Sequence, residues 1–349
     1  MRIVSNKSST IQHTASTNAI PQKRRARSKV RLLLGVMLIS CGILWIMHAM
    51  DFPLKTIYAI ALDRLHLDSN DHAFAGAEIE AKAAVVMDGE TGETIFYKND
   101  QDKLPMASTT KIMTALIALD AMPSETLVRV GSEVEWTAAV ESKAGLVEGQ
   151  LLTWEELIKA MMLPSGNDAA RTIAVQVGMQ HAQAGATRGE AYQAFVVMMN
   201  KKAKQLGMER THFTNPHGMH DPNHYSTAHD LAALAYEAMQ HEGFREIVME
   251  KRAALSESSP DRVHAMTVVN RNKLLQEDSG YYYDGAIGIK TGFTDQAGYC
   301  LVSSAERQGQ MVIAVVLHST ETEVWTDSHT LLDYGFDWSR AKGRMDKSA

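Results

Sequence analysis

Nineteen consecutive residues without a formal charge, Leu32 to Met50 (LLLGVMLISCGILWIMHAM), decide the compartment in which the rest of this chain must fold. An apolar run of about 20 residues is long enough to cross a bilayer as a helix. A buried core helix would normally keep a polar face, which this run lacks. Lys23, Arg24, Arg25, Arg27, Lys29 and Arg31 stand just before it. Positive residues beside an inserted helix stay in the cytoplasm. Residues 1–31 are therefore expected to form a basic cytoplasmic tail and 32–50 a signal anchor at the cell membrane, with everything after Met50 extracytoplasmic. Two processing alternatives, giving a secreted protein or a lipoprotein, stay open. AFA at 73–75 has the small residues of a cleavage site but lies far beyond the apolar run. LISC, ending at Cys41, resembles a lipoprotein-processing box, although the residues after Cys41 remain apolar.

The formal net charge of −6 hides an asymmetry: residues 1–31 hold eight Lys or Arg and no acid, so the remaining chain stands at −14. An acidic body of this kind argues against a nucleic-acid partner. Of the two cysteines, Cys41 lies in the apolar run and Cys300 is far downstream, which leaves no disulfide framework. Cys300 is expected to be a small buried hydrophobe in a strand.

Residues 51–80 mix short apolar pieces with Asp, Asn, His and Gly and read as an extracytoplasmic linker. From residue 81 the pattern is globular, and one domain is expected over 81–340 with a short tail at 341–349. AAVVMD and TIFYKN around GETGE predict a β-hairpin. A helix follows from Ser108. TWEELIKAMML and NDAARTIAVQV have helical periodicity and are split by PSG at 164–166. Further helices are predicted over 190–206 and 226–240, and a last one from Glu321 to Tyr334. GAIGIKTGF, GYCLVSSAE and MVIAVVLHS predict an antiparallel meander. The expected class is mixed α+β, with one antiparallel sheet assembled from both ends of the sequence and helices packed around it.

The stretch LPMASTTKIMTALIALDAM sets Lys111 three residues after Ser108, in an otherwise apolar run. Side chains three apart on a helix share a face, and a serine hydroxyl becomes a strong nucleophile only when a base takes its proton. Lysine can be that base once burial or neighbouring positive charge lowers its pKa. Ser-x-x-Lys alone is a common pattern, and a surface serine beside a solvated lysine is its ordinary explanation. Two further pieces sharpen it. LPSGND puts Ser165, Gly166 and Asn167 at a helix-to-helix turn. IGIKTGFT puts Lys290, Thr291 and Gly292 in a strand, where a glycine admits close backbone approach and a lysine offers a charge to a carboxylate.

With these three motifs, and with TNPHGMHDPNHYSTAHDLA and GIKTGFTDQAGYCLV, the sequence resembles the serine-type D-alanyl-D-alanine carboxypeptidases, the low-molecular-mass penicillin-binding proteins of peptidase family S11. The likeness runs from about Ala83 to Trp338. It implies the serine β-lactamase/DD-peptidase (penicillin-recognising) fold and no cofactor. By that resemblance Ser108 is the acylated nucleophile, Lys111 its proton acceptor, Ser165 a proton relay and Asn167 the residue that orients Lys111. Lys290, Thr291 and Thr294 would hold the substrate carboxylate beside Gly292, and the N–H groups of Ser108 and Phe293 would form the oxyanion hole. Peptidoglycan stem peptides and β-lactam antibiotics are the implied partners, besides the membrane through the N-terminal helix. Family members with a second β-rich domain carry it after the catalytic one, and none is expected within this sequence.

Rival readings have their own residues. A β-lactamase of class A uses a Glu-x-x-x-Asn loop, where this chain has NPHG at 215–218. His217, His220, His224 and His229 crowd one segment, as zinc ligands do. Endopeptidase action on cross-links would use the same machinery as carboxypeptidase action. A wall-binding or antibiotic-sensing module would normally have lost a catalytic residue.

Overall fold

The structure, a computed structural model, describes residues 77–256 and 266–343. The chain divides into units 1–67 and 68–349. The expected cytoplasmic tail, the membrane anchor and the linker up to residue 76 lie outside the described residues. Among the described residues, no helix is long and apolar enough to cross a membrane.

Strands β1 (Ala83–Asp88) and β2 (Thr94–Lys98) open the second unit. A single 3-10 turn, Ala107–Thr110, leads into α1 (Lys111–Ala121). Next come β3 (Leu127–Arg129), β4 (Leu151–Thr153), α2 (Trp154–Met162), α3 (Asn167–His181) and α4 (Arg188–Gln205). Helices α5 (Ala228–Met239) and α6 (Glu242–Met249) and strands β5 (Arg252–Leu255) and β6 (Met266–Val269) follow. The chain returns through β7 (Ala286–Thr294), β8 (Gly298–Arg307) and β9 (Gln310–Ser319) to α7 (Glu323–Ala341). Ser108 thus sits in the 3-10 turn, one step before the regular helix that its sequence suggested.

The main sheet has the order β2-β1-β9-β8-β7, with every neighbouring pair antiparallel. The two ends of the sequence meet where β1 pairs with β9. Successive strand residues point to opposite faces, and both faces here are covered. Ile313, Val315 and Leu317 enter one core while Val312, Ala314 and Val316 enter the other. That is why MVIAVVL reads as an unbroken apolar run rather than an alternating one. α7 closes the second face with Leu331, Leu332 and Phe336, and Asp327 ties down the entering chain by accepting from the N–H groups of Glu80 and Ala81. On the first face α1 is the central helix. Ile112, Met113, Ala115 and Ala118 are fully buried, as expected of a helix that is apolar on all sides. Cys300 is buried in β8, and burial pushes its thiol up to about 12.

Helix starts follow local capping chemistry. Thr153 and Thr187 each form a reciprocal box with the glutamate three residues on, and Thr227 accepts from the Asp230 N–H. β7 is one of the two edge strands of the sheet, and it borders the serine turn.

Candidate active site

Gly292 of β7 brings the sheet edge against the serine turn. A Cβ there would lie 3.0 Å from the Ser108 nitrogen and 3.1 Å from the Met106 carbonyl oxygen. Gly218 closes the other side with φ +92°, and a Cβ at that position would fall 2.0 Å from the Ala107 carbonyl oxygen. Only glycine tolerates both the conformation and the contact. Between these walls is a cleft of about 720 Å³. Ser108, Ser165 and Asn167 line it from the helical side, and Thr291, Gly292, Phe293 and Thr294 from the strand. Lys111 and Lys290 are buried, at 0% and 2% exposure. The structure thus gathers the residues singled out from the sequence at one place.

Lys111 Nζ lies 2.9 Å from Ser108 Oγ, 2.6 Å from Asn167 Oδ1 and 2.7 Å from the His217 carbonyl oxygen. Burial first, then the charges of Lys290, Arg171 and Arg271, hold its pKa well below the ordinary lysine value, with Asp168 opposing them. A neutral amine has two hydrogens and one lone pair. In that form Asn167 Oδ1 and the His217 carbonyl, which can only accept, would take the two hydrogens. The lone pair would then be left for Ser108 Oγ, the one neighbour of the three that can donate a proton. Lys290 Nζ donates to the Thr291 carbonyl at 3.1 Å, and burial together with Arg271 brings its pKa down to about 7. Thr294 Oγ1 accepts from the Ala297 N–H at 3.1 Å, which leaves its own hydrogen available. Ser165 has φ +66°, a conformation few non-glycine residues adopt, in the turn between α2 and α3.

The histidines considered as zinc ligands have other positions. His217 Nδ1 accepts from the Met219 N–H at 3.2 Å, so its Nε2 carries the hydrogen and donates to Tyr192 Oη, also at 3.2 Å. Burial, reinforced by Arg171, Lys111 and His224, keeps this imidazole neutral. His224 Nδ1 accepts from the Thr214 N–H at 3.0 Å. Its Nε2–H donates at 2.7 Å to Thr110 Oγ1, whose own hydrogen goes to the Ala107 carbonyl. These two rings brace the serine turn and the segment facing it. Among the described residues, no group of three or more His, Cys, Asp or Glu is placed to hold a metal.

Sequence reasoning missed several members of the site. His217 contributes a main-chain carbonyl to Lys111, for which no side-chain pattern exists. Glu141, in the loop before β4, accepts from Asn167 Nδ2 at 2.8 Å and pairs with Arg171 through both carboxylate oxygens, at 2.8 and 3.1 Å. Arg271 also lines the cleft and donates to Ser142 Oγ at 2.9 Å.

A family model described as D-alanyl-D-alanine carboxypeptidase, peptidase S11, matches residues 70–321. The chain belongs to this family. It is 34% identical over 262 residues to the D-alanyl-D-alanine carboxypeptidase DacF of Bacillus subtilis, covering 74% of this chain and 62% of that relative. The D-alanyl-D-alanine carboxypeptidase of Streptomyces sp. K15 is likewise 34% identical, covering 74% of this chain and 88% of the relative. In structure, the Streptomyces K15 DD-transpeptidase superposes with a TM-score of 0.69 at 33% identity, covering 76% of this chain and 100% of that one. DacD from Francisella tularensis superposes with a TM-score of 0.63 at 31% identity, covering 74% and 71%. The mixed α+β architecture with its antiparallel sheet is thus the penicillin-recognising fold of the DD-peptidases, and the chain is a hydrolase of that kind.

Proposed function

We propose that this protein removes the terminal D-alanine from peptidoglycan stem pentapeptides through an acyl-enzyme on Ser108. The observation that carries this reading is the buried Lys111 amine, its pKa held well below the ordinary lysine value, 2.9 Å from Ser108 Oγ and within hydrogen-bond distance of Asn167 Oδ1 and the His217 carbonyl. Ser108 Oγ attacks the carbonyl of the penultimate D-alanine as its proton passes to Lys111. The C–N bond breaks, the proton returns to the leaving D-alanine nitrogen by way of Ser165, and water hydrolyses the Ser108 ester. The N–H groups of Ser108 and Phe293 stabilise the developing oxyanion. β7 lies at one edge of the sheet, and an edge strand can take an extended peptide alongside it, which supports binding of the stem there. Lys290, Thr291 and Thr294 receive the terminal carboxylate. No cofactor enters any of these steps. β-Lactams acylate the same serine, and the basic tail with its apolar run anchors the enzyme in the membrane with this domain outside.

D-alanine release from a D-Ala-D-Ala stem pentapeptide tests the proposal. Release by the wild type and none by Ser108→Ala is expected, and equal release by both would remove Ser108 from the mechanism. A second outcome has support from the Streptomyces K15 neighbour, described as a DD-transpeptidase. The same acyl-enzyme can pass to an amine instead of water, and cutting of cross-links uses the same serine, so both products belong in the assay.

A further inference from the structure

Asn167 is the pivot of the Lys111 arrangement, and an amide side chain has two nearly isosteric orientations with opposite chemistry. With Oδ1 toward Lys111, as observed, the amide takes an amine hydrogen and leaves the lone pair for Ser108. Turned over, Nδ2 would donate to the amine, occupy its lone pair and disable it as a base. Something must hold one orientation. Lys111 in its neutral, base-competent form cannot do so, because a neutral amine both donates and accepts.

Glu141 can. Its side chain is only 7% exposed, and its carboxylate receives four donors: Asn167 Nδ2 at 2.8 Å, Arg171 Nη1 at 2.8 Å, Arg171 Nη2 at 3.1 Å and the Ala138 N–H at 3.0 Å. Burial alone would raise its pKa, but the bonds from Arg171, the Ala138 N–H and Asn167 outweigh burial and hold it below the usual glutamate value. An ionised carboxylate can only accept, so it admits the Nδ2 side of Asn167 and repels Oδ1. Arg171, itself 8% exposed and also bonded to Thr137 Oγ1 at 3.1 Å, fixes the carboxylate in place. The loop bearing Glu141 is clipped to the first turn of α3 as well. Asp168 accepts from the N–H groups of Ala144, Gly145 and Leu146, and the Asn167 N–H donates to the Ser142 carbonyl.

We infer that Glu141, clamped by Arg171, is a positioning residue for the reaction: it locks the Asn167 amide with Oδ1 toward Lys111 and so keeps the lysine lone pair on Ser108. The inference rests on the roles proposed above for Ser108 and Lys111.

The test compares acylation by a chromogenic β-lactam and turnover of the stem pentapeptide in wild type, Ser108→Ala, Glu141→Ala and Glu141→Gln, each with a thermal melt. Glu141→Ala frees the amide to turn over. Its acylation rate and kcat should fall about 10- to 100-fold with KM changed less than threefold, matching loss of one charge-assisted hydrogen bond. Glu141→Gln keeps an oxygen able to accept from Asn167 Nδ2 and Arg171 Nη1. Its nitrogen then faces the Ala138 N–H and Arg171 Nη2, so it should melt lower yet acylate within threefold of wild type. That split between stability and rate is what a merely structural ion pair would not give. Glu141→Ala acylating within threefold of wild type would overturn the inference, as would Glu141→Gln losing as much rate as Glu141→Ala. A wild type that fails to acylate at all would instead sink the functional proposal on which the inference rests.

Discussion

Replacing Lys290 by methionine should stabilise this protein at neutral pH while damaging its use of substrates. Lys290 is 2% exposed, and burial with the Arg271 charge lowers its pKa from 10.5 to about 7. In the unfolded chain the amine is protonated up to about pH 10.4. The gap between the two values corresponds to about 5 kcal/mol, lost from folding stability wherever the unfolded chain binds the extra proton. The sign follows from linkage. Below pH 7 the cost is present in full, and between pH 7 and 10.5 stability rises with pH as the cost disappears. Methionine fills a similar volume without a charge, at a packing cost of under about 1.5 kcal/mol. The lost bond to the Thr291 carbonyl subtracts about 1 kcal/mol more. Lys290→Met should therefore be about 2 to 4 kcal/mol more stable than wild type at pH 7, and about 0.5 to 2 kcal/mol less stable by pH 10, where the charge penalty has nearly gone and the packing and hydrogen-bond losses remain. Urea denaturation of both proteins at pH 7, 8.5 and 10 measures this directly. A variant less stable than wild type at pH 7, or a difference that does not change with pH, would refute the reasoning. The same variant should lose more activity on substrates with a free terminal carboxylate than on their esters.

Acid should weaken the fold through His224, whose pKa burial brings down to about 4. Its neutral contribution is intact above pH 6.5 and about 3 kcal/mol is lost as pH falls from 6.5 to 4; urea midpoints across that range should show a slope that His224→Gln flattens. Gly218→Ala should cost more than about 2 kcal/mol, since it adds strain at φ +92° and drives a Cβ into the Ala107 carbonyl. A melt within a degree of wild type would contradict that account. Lys111→Met should slow acylation by at least about 100-fold, the contribution of a positioned general base, without lowering the melting temperature. A collapsed melting transition would make Lys111 a structural residue instead.

The parts of this molecule legible in the sequence are those governed by local spacing. Ser108 and Lys111 are three residues apart, and the strands β7 to β9 are apolar runs between turn residues, so each announces itself within a short window. The helix expected over 226–240 is found as Ala228–Met239, started by the cap on Thr227. The last helix runs seven residues past its expected end at Tyr334, to Ala341. Three-residue strands such as β3 and β4 are too short to show a period. α6 follows α5 so closely, across Gln240 and His241, that its eight residues give no separate signal. In the site, Glu141 meets partners 26 and 30 residues away, which no window in the sequence joins. The four histidines between 217 and 229 looked like a ligand set because they are neighbours in sequence. Folding sends His217 and His224 to brace different backbone segments, and what His217 gives Lys111 is a carbonyl that any residue would carry.

The most direct measurement of the central claim is the mass of the trapped acyl-enzyme and the location of its modified peptide. Incubated with benzylpenicillin, the wild type should gain one adduct, mapped to Ser108, and Lys111→Met should gain none on the same timescale. An adduct on any other residue, or one that forms in Lys111→Met at the wild-type rate, would contradict a serine activated by this lysine.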